Sequence, residues 1–168
     1  MRRMGSRTGL AAVVAALAVC GAAWAGDASV VEAVGVAVRV PEGWSRAQAA
    51  QEPSTADPRT VLVVGTQGVE PRRSQCQVSA YRVPADGAAV VVIAWRGRAT
   101  DAIPRDREVL GSLRLRRPYF ECWAGRGAAV QLALRGRAYQ VNVLVGDRAG
   151  PGVAAEALRV ARSFGLAR

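Results

Sequence analysis

Two cysteines carry the most specific chemistry in this sequence. Cys76 and Cys122 lie well inside the chain, whereas the third cysteine, Cys20, lies near the N-terminus. If residues 1–25 are removed as an export signal, two cysteines remain, and an even count in an exported protein favours a disulfide, here Cys76–Cys122. Such a bond would close a loop of about 46 residues and stabilise the fold by roughly 4 kcal/mol. Two buried free thiols are the alternative. Metal binding is disfavoured because the sequence has neither a CxxC spacing nor a histidine.

Other catalytic residue types are scarce. Histidine is absent, which removes the commonest general base and metal ligand, and lysine is absent, which removes Schiff-base chemistry. Asp106, Glu108 and Glu121 can be combined into an acid–base pair, but any chain of this size offers as many carboxylates. Ser112 lacks the G-x-S-x-G frame of a hydrolase nucleophile. We therefore expect a non-catalytic protein without cofactor or metal, with a small carboxylate- or serine-based hydrolase as the alternative.

The charge of the chain is strongly positive. The formal net charge is +10, and all 23 basic residues are arginine. Loss of residues 1–25, which hold three arginines and no acid, would leave +7. Arginine suits bidentate binding of carboxylate or phosphate. The complete avoidance of lysine, together with abundant Ala, Gly and Val, also fits the codon bias of a GC-rich genome, so arginine identity alone carries little functional weight.

The densest basic stretch lies between residues 105 and 126. Arg114 and Arg116 alternate around Leu115, so in a strand they would share one face. The stretch predicts a patch that binds an anionic envelope polymer, a membrane surface or an acidic protein, and a solvated strand face is the alternative. Nucleic acid is not expected, because few aromatic residues interleave with the arginines. The predicted patch consists of Arg105, Arg107, Arg114, Arg116, Arg117 and Arg126.

The first 25 residues have the pattern of an export signal. A charged start precedes the apolar run Leu10–Val19, and Ala23-Trp24-Ala25 is an A-x-A site that predicts cleavage before Gly26. The apolar run is shorter than the about 20 residues that a transmembrane helix needs. We therefore expect a secreted, extracytoplasmic protein. Lipid anchoring through Cys20 is the alternative, although the preceding Val19 is larger than lipoprotein processing prefers.

Alternating apolar residues indicate several short strands in the remaining chain. Val36, Val38 and Val40 alternate with smaller or polar residues, as in a half-buried strand. Ala88–Trp95 is apolar on both sides, so it should lie mid-sheet with both faces covered. Trp44 is expected to anchor the core. The predicted strands are Gly35–Val40, Thr60–Thr66, Gln75–Val83, Ala88–Trp95, Leu113–Arg116, Tyr119–Trp123 and the two arms of a hairpin over 128–145.

The hairpin and the helix after it complete the predicted fold. The hairpin turns at Arg135-Gly136 and is expected at the centre of an antiparallel sheet. The apolar spacing within Val153–Phe164 predicts a helix that covers the sheet and starts near Pro151. Asp106–Leu110 suits one helical turn. The fold class is thus α+β, a mostly antiparallel sheet of about six or seven strands under a C-terminal helix.

The opening strand also suggests a family. The pattern Gly-x5-Pro-x-Gly-Trp over Gly35–Trp44 resembles the first strand of PsbP/Mog1-like domains, with looser agreement from the terminal helix. The resemblance implies an antiparallel sheet packed against helices, and it carries no shared catalytic residues. The expected organisation is a signal peptide over residues 1–25, an extended lead-in over 26–34 and one globular domain over 35–168.

Overall fold

The computed structural model describes residues 28–50, 57–74, 76–78, 80–117, 123 and 125–168. These residues form an α+β fold of mostly antiparallel sheets with one C-terminal α-helix, which confirms the predicted class. The predicted single sheet of six or seven strands is wrong, because the strands divide into sheets of five, three and two. The predicted signal peptide lies outside the described residues and stays a prediction.

The elements are β1 (Ser29–Ala33), β2 (Val36–Val40), β3 (Trp44–Arg46), β4 (Arg59–Thr66), β5 (Glu70–Pro71), β6 (Tyr81–Arg82), β7 (Ala88–Arg98), a 3-10 helix (Arg107–Ser112), β8 (Arg126–Leu134), β9 (Arg137–Val145), α1 (Pro151–Arg162) and β10 (Gly165–Leu166).

The five-stranded sheet is built around β7. Its strand order is β3-β4-β7-β9-β8, and all neighbours are antiparallel. Successive side chains of a strand point to opposite faces, and here both sets are small and apolar. The set Ala88, Val90, Val92 and Ala94 packs into one buried cluster, and the set Ala89, Val91 and Ile93 packs into a second. The predicted mid-sheet position of Ala88–Trp95, with both faces covered, is confirmed.

The hairpin of β8 and β9 does not lie at the sheet centre, contrary to the prediction. β9 pairs with β7, but β8 is the edge strand. The physical reason is that β7 is apolar on both faces, whereas β8 exposes Gln131, and an edge strand tolerates such a residue. The turn is confirmed at Arg135-Gly136, where both residues have positive φ, 48° and 77°. Two positive φ angles are typical of a type I′ turn, which suits the twist of a two-residue hairpin.

Helix α1 covers the first buried cluster. It starts at Pro151, as predicted, since a proline at this position loses no helical hydrogen bond. Its buried side chains are small and let the helix pack on β7 and β9: Ala154, Ala157, Val160 and Ala161. Trp44 is 7% exposed in the same cluster, which confirms its predicted role as a core anchor.

Of the small three-stranded sheet, only the central strand β2 matches a predicted strand, Gly35–Val40. The segment predicted as an extended lead-in contains β1, which pairs with β2 along its whole length. The short strand β10 pairs with the other edge of β2, with Gly165 opposite Ala37. Gly165 therefore opens a strand, and the helix before it ends at Arg162. Two-residue strands such as β10 leave too few positions for an alternating pattern to be visible.

Two other predicted strands are wrong. Among the described residues of Gln75–Val83, only Tyr81–Arg82 form a strand, which pairs with β5. The Cys76 amide instead donates to the Ser74 Oγ at 3.1 Å, a local bond that competes with sheet pairing. Leu113–Arg116 makes a single bridge, between Arg116 and Gly127. The predicted helical turn at 106–110 is confirmed as the 3-10 helix. Most of Tyr119–Trp123 lies outside the described residues.

The turn between β1 and β2 contains an unfavourable residue. Val34 has a φ of 48° and is 66% exposed. A β-branched residue is disfavoured in this left-handed conformation, whereas asparagine adopts it readily in type I′ turns. Val34→Asn is expected to raise the free energy of unfolding by about 1 kcal/mol, measured by urea denaturation. Val30→Asn is the control, because Val30 is 57% exposed on the strand itself and should gain nothing. An unchanged or lower midpoint for Val34→Asn would contradict the expected strain.

Candidate anion-binding site

The six arginines of the predicted patch do not form one free surface. Arg116 exchanges two backbone hydrogen bonds with Gly127, at 2.9 and 3.0 Å. Beside it the Arg117 guanidinium forms an ion pair with Asp147 at 2.6 Å. Arg126 donates to the Ala149 carbonyl oxygen at 2.7 Å. These three arginines therefore hold the loop between β9 and α1 against the start of β8.

The other three patch arginines also bond to protein oxygens. Arg105 forms an ion pair with Asp101. Arg107 donates to the Ser163 carbonyl oxygen at 3.3 Å. Arg114 donates to the carbonyl oxygens of Gly111 at 2.6 Å and of Leu113 at 2.9 Å. The structure thus gives five of these six guanidinium groups a partner within the protein.

A denser arginine cluster forms where the sequence shows two short separate motifs. Arg96-Gly97-Arg98 ends β7, and Arg135-Gly136-Arg137 makes the turn between β8 and β9. Cross-strand pairing places Arg98 opposite Arg137. The backbone N–H of Ala99 donates to the Gly136 carbonyl oxygen at 2.9 Å, which joins the two motifs. We call the four side chains the arginine tip: Arg96, Arg98, Arg135 and Arg137.

A bulge sets the arrangement of the arginine tip. Ala94 pairs with Tyr139, and Arg98 pairs with Arg137. Between these two pairs β7 advances by four positions, whereas β9 advances by two. Extra residues in one strand bend it and change the direction of its side chains. Both motifs consequently meet around one open pocket of about 420 Å³, lined by the four arginines and the two glycines.

The arginine tip has little charge compensation. Arg96, Arg98 and Arg135 are exposed, and none of them forms an ion pair within the part of the chain that the structure describes. Asp57 is the nearby carboxylate, and its Oδ1 accepts the Arg96 backbone N–H at 2.9 Å. Three exposed cations therefore line one surface, with the Asp57 carboxylate beside it.

Arg137 is the ordered member of the arginine tip. Its Nε donates to the Trp95 carbonyl oxygen at 3.1 Å. Its guanidinium carbon lies 5.7 Å from the centroid of the Tyr139 ring, within the range of a cation–π contact. Arg137 thus stiffens the base of the tip while the other three side chains reach into solvent.

A second pocket adjoins the arginine tip on the face of the sheet opposite α1. Its volume is about 360 Å³. Trp95, Ala138 and Gln131 come from neighbouring strands, and the chain from 97 to 103 forms one wall. Arg98 and Gly97 line this pocket as well as the pocket of the tip. The polar side chains of Asp57, Thr100 and Gln131 are therefore within one small cavity beside an arginine.

A wider groove of about 740 Å³ runs over the small sheet. It brings Arg107 of the predicted patch next to Arg39 and Arg168, with Glu32 and Ser163 also lining it. The Ser163 Oγ accepts the Arg39 backbone N–H at 2.8 Å, which connects β2 to the end of α1. Here the cations are interleaved with a carboxylate, so the groove is less positive than the arginine tip.

The catalytic candidates serve local structure. Asp106 caps the 3-10 helix by accepting the Glu108 N–H at 2.8 Å. The Ser112 hydroxyl donates to the Val109 carbonyl oxygen at 2.7 Å. Glu121 and Cys122 lie outside the described residues, so the Cys76–Cys122 disulfide stays a prediction. Among the described residues, no group of three His, Cys, Asp or Glu side chains is placed to hold a metal ion.

Comparisons with known proteins add no identity. The chain matches no protein-family model, no curated protein and no solved structure. In the described parts of the chain, no helix has both the length and the apolar character to cross a membrane. Inference about function therefore rests on the geometry and charge of the sites themselves.

Proposed function

We propose that this protein is a non-catalytic extracytoplasmic domain that binds an anionic polymer of the cell envelope. The arginine tip is the binding surface. The observation that carries the proposal is the side-by-side placement of two Arg-Gly-Arg motifs with no ion pair to their exposed members among the described residues. The export signal predicted from residues 1–25 supports an envelope location.

The exposure of the arginine tip favours a polymer over a small ion. One exposed guanidinium–carboxylate pair contributes about 0–1 kcal/mol. Three such contacts made together by one chain reach a useful affinity, because the second and third contacts form within an already bound complex. The glycine between each pair of arginines has no side chain that would keep a polymer from the backbone. The space beside each glycine is also open, because a Cβ at Gly97 or Gly136 would meet nothing within 4 Å.

The alternative of a small hydrolase has less support. A carboxylate mechanism needs two carboxylates that converge on one cavity. In the described part of the chain, the groove over the small sheet, the pocket beside Trp95 and the pocket at Trp123 are each lined by one acidic side chain, and the pocket of the arginine tip by none. The Ser112 hydroxyl donates its hydrogen bond to the Val109 carbonyl oxygen and not to the side chain of a general base.

Charge reversal at the arginine tip tests the proposal. The triple variant Arg96→Glu, Arg98→Glu and Arg135→Glu is expected to bind poly-L-glutamate at least about tenfold more weakly, because each lost contact and each new repulsion adds to the total. Arg137 is kept, since it packs on Tyr139. The measurement is the dissociation constant for poly-L-glutamate by isothermal titration at low salt.

The matched control reverses three exposed arginines outside the arginine tip, one in β3, one in β6 and one in the loop after β9. Arg46, Arg82 and Arg148 are exposed, and their replacement by Glu changes the net charge by the same amount. This control is expected to bind more tightly than the tip variant. Equal weakening of the two triple variants would show that net charge alone governs binding and would reject the arginine tip as the site.

A further inference from the structure

We propose that the pocket beside the arginine tip holds the sugar ring of an acidic polysaccharide. This inference rests on the proposed function and deepens it, because it gives the anionic polymer a chemical class. The polymer would be a chain of sugars that carry carboxylate or similar anionic groups. Its backbone would follow the arginine tip while one ring enters the pocket that Trp95, Gln131 and Ala138 line.

The size and lining of the pocket suit a single sugar ring with its neighbours outside. A volume of about 360 Å³ lies within the range of small-molecule sites, about 300–1,000 Å³. Sites of this kind combine apolar surface with a few placed polar groups. Here Trp95, Ala99, Ile103 and Ala138 give the apolar surface, and Asp57, Arg98, Thr100 and Gln131 give the polar groups.

Trp95 is the residue that distinguishes this pocket. It is half-buried, and it belongs to neither of the two buried hydrophobic clusters. Its neighbours on the same strand face, Val91 and Ile93, are fully part of the second cluster. A large aromatic side chain that leaves the core and lines a pocket presents an apolar surface to which the C–H face of a sugar ring can bind.

The polar groups offer both kinds of hydrogen bond that sugar hydroxyls need. Asp57 supplies a carboxylate acceptor, Arg98 supplies donors only, and Thr100 and Gln131 supply both. Two of them are held in place from outside the pocket. Asp57 accepts the Arg96 N–H, and the Gln131 side chain donates to Gln140 Oε1 at 3.1 Å.

The polar chain behind Gln131 continues into the core. Gln140 donates to the Asn142 Oδ1 at 2.7 Å, and Asn142 donates to the Val91 carbonyl oxygen at 3.1 Å. Asn142 is fully buried, so this chain anchors the exposed Gln131 amide through two strands. Pre-ordered polar groups lose less side-chain entropy when a ligand binds.

Arg98 connects the pocket to the arginine tip. It lines both cavities, so a sugar in the first would bring its acidic substituent towards the cations of the second. A polyanion without sugar rings would contact the arginine tip alone. The two kinds of polymer should therefore differ in affinity although their charge density is similar.

Two polymers of matched charge test the inference. Polygalacturonate and poly-L-glutamate each carry one carboxylate per unit, and only the first has sugar rings. We expect the protein to bind polygalacturonate at least about tenfold more tightly, a difference of about 1.4 kcal/mol. Trp95→Ala is expected to remove this preference and to leave the dissociation constant for poly-L-glutamate unchanged.

Gln131→Ala is the second variant, because Gln131 is exposed and its loss should not disturb folding. It is expected to reduce the preference for polygalacturonate severalfold. Trp123→Phe is the control for the loss of a tryptophan in Trp95→Ala, since Trp123 lines a different pocket. Short galacturonate oligomers should also change the intrinsic tryptophan fluorescence of the wild type, but not that of Trp95→Ala.

The outcomes separate the two proposals. Equal affinity of the wild type for both polymers, or a parallel loss of both in the Trp95 variant, would overturn the sugar pocket and leave the arginine tip intact. Binding of galacturonate oligomers without any binding of poly-L-glutamate would support the pocket and overturn the proposed function. No binding of either polymer or of the oligomers would overturn both.

Discussion

Phe164→Ala is expected to lower the free energy of unfolding by about 3–5 kcal/mol. The Phe164 ring is completely buried between the end of α1 and β10. Its centroid lies 5.4 Å from that of Tyr139, with the ring planes at 60°. Aromatic residues make up only 5% of the sequence, so the core has few large side chains that could fill the resulting cavity. A domain of this size is stable by about 5–15 kcal/mol, which makes such a loss a large fraction of the total.

The measurement for this variant is urea denaturation followed by far-UV circular dichroism. Leu166→Ala is the control, because Leu166 lies on β10, just after Phe164, but is only half-buried, so its loss should cost much less. A loss below about 1 kcal/mol for Phe164→Ala would contradict the packing described for the end of α1.

Gly146→Ala is expected to destabilise the protein by about 3 kcal/mol or more. A Cβ at this position would overlap the carbonyl oxygens of Pro84 and Ala85, which are backbone atoms and cannot move aside alone. The two segments are also bonded to each other. Gly146 donates to the Gly87 carbonyl oxygen at 2.9 Å, and Arg148 donates to that of Ala85 at 2.7 Å.

Gly152→Ala gives the matched control for this substitution. A Cβ on Gly152 would meet nothing within 4 Å, and the residue lies in the first turn of α1. Because alanine favours helix more than glycine does, this variant should gain up to about 1 kcal/mol. Similar denaturation midpoints for the two alanine variants would show that the turn at 84–87 is not in contact with the loop after β9.

The central elements of the fold could be predicted from local patterns. β7 is apolar at every position from Ala88 to Ala94, and α1 has its apolar residues at spacings of three and four. Both patterns are long and need no knowledge of the partner element. The position of β8 was mispredicted because regular alternation marks a half-covered strand equally well at an edge or at the centre.

The short elements and the arginine tip could not be predicted in the same way. β10 is two residues long and owes its existence to pairing with β2. The arginine tip depends on the register of β7 against β9 and on a bulge after Ala94. One sequence signal was available, the repeated Arg-Gly-Arg at 96–98 and 135–137. The predicted patch instead followed the local density of arginines, most of which bond to backbone or acidic oxygens in the fold.

Three expectations from the sequence stay predictions. The signal peptide, the Cys76–Cys122 disulfide and the resemblance of Gly35–Trp44 to PsbP/Mog1-like domains are not tested by the described residues or by the comparisons. In the fold, β2 ends at Val40, and Gly43, with a φ of 80°, precedes the buried Trp44.

Salt dependence tests the binding role of the arginine tip most directly. The dissociation constant for poly-L-glutamate should be measured from about 50 mM to about 200 mM salt, for the wild type and for a variant with Arg96, Arg98 and Arg135 changed to Ala. Binding through several arginines releases counterions, so the wild-type affinity should fall steeply with salt, and the variant should show a clearly shallower slope. Identical slopes for the two proteins would contradict the assignment of the binding surface to the arginine tip.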